Sequence, residues 1–184
     1  MRMGAAYFHA PDPSVNAFGR NDMKASKVAQ YGLLTALALA LSWLESLLPP
    51  LGAPGVKLGL PNLAIVFALY RLGWRDACVI SLVRVLLAAL LFGNGAALAY
   101  SAAGAALSLS LMGLLKRTGK FSSIGVSVAG GVAHNAGQIL VAMALLDTSR
   151  LAWYLPVLWV SGTVAGVLIG IVSGELVKRV PDQS

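Results

Sequence analysis

Residues 124–146 read IGVSVAGGVAHNAGQILVAMALL, and this stretch decides the fold. It is an apolar run of the length that crosses the roughly 30 Å hydrocarbon core of a bilayer as a helix, which takes about 20 residues. His134, Asn135 and Gln138 interrupt it. A buried amide or imidazole without a hydrogen-bond partner costs roughly 2 to 7 kcal/mol. Polar groups in such a segment are therefore a functional-site hypothesis from the outset.

Composition makes the case for a membrane along the whole chain. Of 184 residues, 58% are hydrophobic and 11% charged, and the mean hydropathy is +0.77. Soluble chains carry about 25% charged residues and break their apolar residues into short periods. Six spans are predicted, at 28–48, 58–72, 77–92, 96–115, 124–146 and 153–176. The second and third fall short of a full crossing, so each also reads as a tilted or re-entrant segment. Arg71, Gly73, Arg75 and Asp76 lie between them and prevent their fusion into one helix.

Basic residues set the orientation, because cytoplasmic loops hold an excess of Lys and Arg. With both termini inside, Arg2, Arg20, Lys24, Lys27, Arg71, Arg75, Lys116, Arg117, Lys120, Lys178 and Arg179 are cytoplasmic. Lys57 and Arg150 are outside, and Arg84 lies within a span. The predicted fold is an all-α integral membrane protein, a compact bundle of six transmembrane helices with cytoplasmic N- and C-termini, in the cytoplasmic membrane. Topology accounts for the net charge of +7 without nucleic acid, and the basic face meets anionic lipid of the bilayer.

Residues 1–23 are polar, lack the apolar core of a signal peptide, and are expected to be a disordered extension with Met23 as the start. Residues 24–178 form the membrane domain and 179–184 a short cytoplasmic tail. The lone Cys78 excludes an internal disulfide and reads as a packing residue.

Small residues recur at helical spacing. Gly162, Gly166, Gly170 and Gly174 form a groove along the last span, which suits close helix–helix packing. Gly32, Ala36 and Ala40 form a similar stripe on the first span. There an interface with another membrane subunit is the sharper reading. Ser101, Ser108 and Ser110 of the Ala-rich fourth span read as packing residues that bond back to their own helix.

The candidate binding residues converge in depth. His134 lies about 15 Å from the inner end of its span at 1.5 Å per residue. Gln138 is one turn further out on the same face, and Asn135 is rotated towards a neighbouring helix. Arg84 is at similar depth, where a bare guanidinium costs roughly 2.5 to 3.5 kcal/mol on insertion scales. It either pairs with Glu45, in the outer third of the first span, or meets an anionic group of a substrate. Lys57, Gly59, Pro61 and Asn62 stand at the outer entrance of the second span. The set suggests an outward-opening pocket for a small-molecule solute.

Catalytic machinery is not evident in the sequence. No Gly-x-x-x-x-Gly-Lys-Ser/Thr loop is present for ATP, no metal-ligand cluster or cofactor motif occurs, and no two acidic residues lie close in sequence. Paired aspartates that would hold magnesium against a diphosphate are missing.

Three stretches carry a family resemblance: Lys57-Leu58-Gly59-Leu60-Pro61-Asn62; Ser81-Leu82-Val83-Arg84-Val85-Leu86-Leu87 leading to Leu91-Phe92-Gly93; and Gly125 to Gly130 followed by His134-Asn135-Ala136-Gly137-Gln138. In this order they resemble the Gx transporter family, also labelled heptaprenyl diphosphate synthase component I, over residues 24–178. The resemblance implies a six-helix protein similar to the S components of energy-coupling factor transporters. These bind a vitamin-like solute and pair with a membrane coupling subunit and cytosolic ATPases; Ala36 and Ala40 match the Ala-x-x-x-Ala contact with that subunit. Flavin- or quinone-related cargo is also implied. The component I label implies instead a noncatalytic partner of a soluble prenyl diphosphate synthase in menaquinone side-chain synthesis.

Overall fold

The computed structural model of the chain describes the backbone of residues 13–47 and 59–180 and the side chains of residues 25–47 and 59–180. Lys57 lies outside the described residues. Six helices follow in order: α1 (Pro13–Leu47), α2 (Asn62–Arg71), α3 (Trp74–Phe92), α4 (Gly95–Thr118), α5 (Ser123–Leu145) and α6 (Leu155–Arg179). A short 3-10 helix, Ser149–Tyr154, leads into α6. Among the described residues there is no strand. The first helix begins within the segment 1–23 that was expected to be an extension.

Local chemistry places the helix ends. Asn94 Oδ1 accepts from Ala97 N–H at 2.9 Å to start α4, and Ser122 Oγ accepts from Gly125 N–H at 3.2 Å to start α5. Each satisfies a first-turn donor that has no partner inside its helix. Gly73, at φ 107°, makes the tight turn between α2 and α3 in a region that L side chains avoid.

Four helical stretches, Ala25–Leu47, Gly95–Thr118, Ser123–Leu145 and Ser149–Arg179, are long and apolar enough to cross a membrane. The chain is thus built as a multi-pass membrane protein. The two segments of doubtful length differ from these. The 19 residues of α3 include Arg75, Asp76 and Arg84. The 10 residues of α2 make about 15 Å of helix at 1.5 Å per residue, half a hydrocarbon core. Consequently α2 begins part-way through the bundle: Leu63 O accepts from Ser173 Oγ of α6 at 3.4 Å.

Contacts between helix ends fix their relative direction. Lys27 Nζ of α1 pairs with Asp76 of α3 at 3.1 Å, and the Tyr31 hydroxyl donates to the same carboxylate at 2.6 Å. Lys116 of α4 donates to Leu69 O at the end of α2, and Ser123 of α5 lies beside Gly174 of α6. The start of the apolar stretch Ala25–Leu47 of α1 and the starts of α3 and α5 therefore share one end with the finishes of α2, α4 and α6. Lys27, Arg71, Arg75, Lys116, Arg117, Lys120, Lys178 and Arg179 gather at this basic end, and Arg150 lies at the other.

Packing in lipid relies on contact and shape rather than on a hydrophobic drive between helices. α5 lies against both α4 and α6, α1 against α3, and α2 against α1, α3 and α6. Ile65, Val66 and Leu69 of α2 are buried with Ile80, Met112 and Val126 of its neighbours. The glycines of α6 put its backbone directly on α5. A Cβ on Gly166 would lie 2.5 Å from Val128 Cα, and one on Gly170 2.6 Å from Ile124 Cα. In α1, by contrast, Gly32, Ala36 and Ala40 are exposed, and a Cβ on Gly32 would meet nothing within 4 Å.

Gly170→Ala should therefore force α5 and α6 apart and cost about 1 to 3 kcal/mol, whereas Gly32→Ala should stay within about 0.5 kcal/mol of the parent. Thermal unfolding in one detergent checks the contrast. Equal stability of the two variants would mean that the α5–α6 backbones are not in contact.

Candidate functional site

A cavity of about 80 Å³ lies inside the half of the bundle away from the basic end. Glu45 of α1, Asn62 of α2, Arg84 of α3 and His134, Asn135 and Gln138 of α5 all line it. Four separate helices thus bring six of the seven sequence-predicted binding residues to one place. The seventh, Lys57, lies outside the described residues. Gly32, Ala36 and Ala40 are on another surface, while Gly162 and Gly166 form part of the cavity wall.

The α2 end of the site is held by a carboxylate. Glu45 Oε1 accepts from Gly59 N–H and from Leu60 N–H at 3.3 Å. Gly59 sits at φ 69°, a left-handed value that favours glycine. From there the chain turns into α2, with Asn62 N–H bonded to Gly59 O at 2.8 Å. Pro61 fits the first turn because it has no N–H to leave unpaired. A carboxylate in this position also faces the positive end of the α2 dipole. Because α2 is only half a span long, its start brings Asn62 to the cavity.

Arg84 is half-buried, and its Nε is buried without a hydrogen-bond partner. Glu45 acts on it electrostatically. Yet among the described residues no ion pair joins the two, because the carboxylate is engaged with the backbone entering α2. The guanidinium keeps donor capacity for the cavity. Its planar fork suits a carboxylate, a phosphate or a polarised carbonyl.

The α5 groups are set by glycines on α4 and α6. A Cβ on Gly104 would lie 2.9 Å from His134 Cε1 and 3.0 Å from Gln138 Cγ, so Gly104 makes the room in which both side chains lie. Asn135 is 8% exposed, and its Nδ2 donates to Leu158 O of α6 at 2.7 Å. It therefore ties α5 to α6 as well as lining the cavity. Ser101, expected to serve packing, lines the cavity too. In an Ala- and Ser-rich helix, only the rotation of α4 distinguishes it from Ser108 and Ser110.

Chemically, the arrangement offers a cation, three amides, an imidazole and one carboxylate that is already hydrogen-bonded. Such a set can bind and orient a polar group. A water occupies about 30 Å³ of liquid, so a cavity of this size accepts a compact polar group. Among the described residues no group of three or more His, Cys, Asp or Glu is placed to hold a metal ion.

Glu45→Ala should lower stability by about 1 to 3 kcal/mol, since two half-buried donors lose their acceptor. Glu45→Gln, which keeps an acceptor oxygen, should lose less than half as much. Melting curves for the three proteins in one detergent test this. An Ala variant as stable as the parent would show that this carboxylate does not hold the start of α2.

A family model described as heptaprenyl diphosphate synthase component I matches residues 34–176, and the chain belongs to that family. No curated protein and no solved structure matches it.

Proposed function

We propose that this member of the heptaprenyl diphosphate synthase component I family is the solute-binding membrane subunit of a small-molecule uptake transporter, similar to an S component. The observation that carries the reading is the convergence of Glu45, Asn62, Arg84, His134, Asn135 and Gln138 on one cavity inside an apolar bundle. Polar and ionisable groups at such depth are costly, and where they occur they mark solute pathways and sites. The single carboxylate among them is committed to the α2 backbone, which favours binding over acid–base chemistry.

The gathering of basic residues at one end supports a cytoplasmic location for that end. Both termini are then cytoplasmic, α2 and α3 complete a six-helix membrane bundle, and the cavity lies towards the outside, where an uptake subunit meets its solute. Flavin- or quinone-like cargo presents carbonyl edges that suit Arg84, Asn62 and Gln138. Energy comes from partners in this reading: a membrane coupling subunit with cytosolic ATPases. The exposed Gly32, Ala36 and Ala40 of α1 offer a surface on which another membrane helix can approach closely.

The family description favours a second reading, in which the chain is a noncatalytic membrane component beside a soluble heptaprenyl diphosphate synthase in quinone side-chain synthesis. The two readings part experimentally. In native mass spectrometry of the detergent-solubilised protein, the transport reading expects one small molecule bound per chain. Arg84→Ala and His134→Ala, at matched thermal stability, should each weaken binding at least tenfold, about 1.4 kcal/mol or more. Unchanged binding by both variants would refute the cavity as the solute site. Co-purification with a prenyltransferase, together with loss of long-chain quinones on deletion, would establish the second reading instead.

A further inference from the structure

A second, half-open chamber adjoins the polar cavity, with Leu146 and Tyr154 of its wall exposed. Its volume is about 400 Å³, and it lies between the start of α4, the end of α5, the 3-10 helix and the first turn of α6. Ile139, Ala142, Leu151 and Leu158 line it together with the rings of Tyr100 and Tyr154. No charged residue faces it among the described residues. Ser101 and Gln138 line both spaces, so the two share a wall.

The sizes are complementary. The polar cavity has room for a compact polar group and little more, whereas small-ligand pockets run from about 300 to 1,000 Å³. A dry cavity of about 150 Å³ holds a benzene ring, so the chamber has space for about two fused rings. The chemistry is divided in the same way. Tyr100 and Tyr154 can offer ring faces to a flat apolar body. Arg84 Nε is buried and without a partner, while Glu45 is already bonded to Gly59 and Leu60 N–H. A buried donor left unmatched is destabilising, and an oxyanion is its strongest partner.

We infer that the two spaces are halves of one site for an amphipathic ligand: an oxyanion head, carboxylate or phosphate, at Arg84, and a flat apolar body of about two fused rings in the chamber, with Gln138 at the junction. This inference rests on the reading of the polar cavity as a solute site.

The test uses the full-length protein in detergent and four probes: 2-naphthoate, 2-naphthyl phosphate, the neutral 2-naphthylmethanol, and acetate. Calorimetry should show both naphthyl anions binding, the alcohol at least tenfold weaker, and acetate without measurable binding at the same concentration. Arg84→Gln should reduce naphthoate to the level of the alcohol. Ala142→Trp, which fills the chamber without touching the polar cavity, should weaken naphthoate at least tenfold; Ala97→Phe serves the same purpose should the Trp variant fail to fold. Binding that depends on Arg84 but ignores both chamber variants would overturn the two-part site and leave the cavity reading standing. Equal affinity for alcohol and anions would overturn the oxyanion head. No naphthyl binding by the parent, or equal uptake by every variant, would overturn the inference as a whole, while the ligand found by native mass spectrometry judges the cavity reading separately.

Discussion

A polar group in hydrocarbon must meet another polar group or water, and this constraint organises the protein. Arg84, Glu45 and the α5 trio have no acceptable position on the lipid face, so the helices that carry them are rotated to bring them inside. Glu45 illustrates the demand. It is bonded to the two backbone N–H groups that precede α2, and these are available at cavity depth only because α2 is half a span long. The short helix and the half-buried carboxylate thus make each other possible.

Glycine contact then determines how rigidly the polar set is presented. A Cβ on Gly131 would lie 2.6 Å from Gly162 O of α6, and one on Gly137 2.7 Å from Ala103 O of α4. α5 is consequently clasped on two sides around His134, Asn135 and Gln138. The bond from Asn135 to Leu158 O adds a directional tie where packing alone is non-directional. Backbone contact on both sides leaves little room for α5 to slide.

Much of this was legible in the sequence, because length and hydropathy carry it. The apolar runs at 96–115, 124–146 and 153–176 correspond to helices α4, α5 and α6, with ends displaced by a few residues. Depth along the helices also put Arg84 and His134 at a similar level, and both line the one cavity. Three features were not legible, each for a physical reason. The apolar run 58–72 conceals the turn at Gly59 and Pro61, so it looks longer than α2, which starts only at Asn62. The partners of Glu45 are backbone N–H groups, which leave no residue signature. Small-residue stripes look alike in sequence: the stripe on α6 meets α5 and the one on α1 is left exposed, a difference set by neighbours and not by spacing.

In the proposed function Arg84 is a donor kept available for a solute rather than one partner of a structural ion pair. The most direct measurement is a high-resolution crystal structure of the protein purified gently enough to retain its natural cargo. The proposed function predicts density for a small molecule in the cavity, within hydrogen-bond distance of the Arg84 guanidinium and bordered by His134 and Gln138. Ordered water alone in the cavity, with Arg84 closed onto Glu45 in an ion pair, would contradict it.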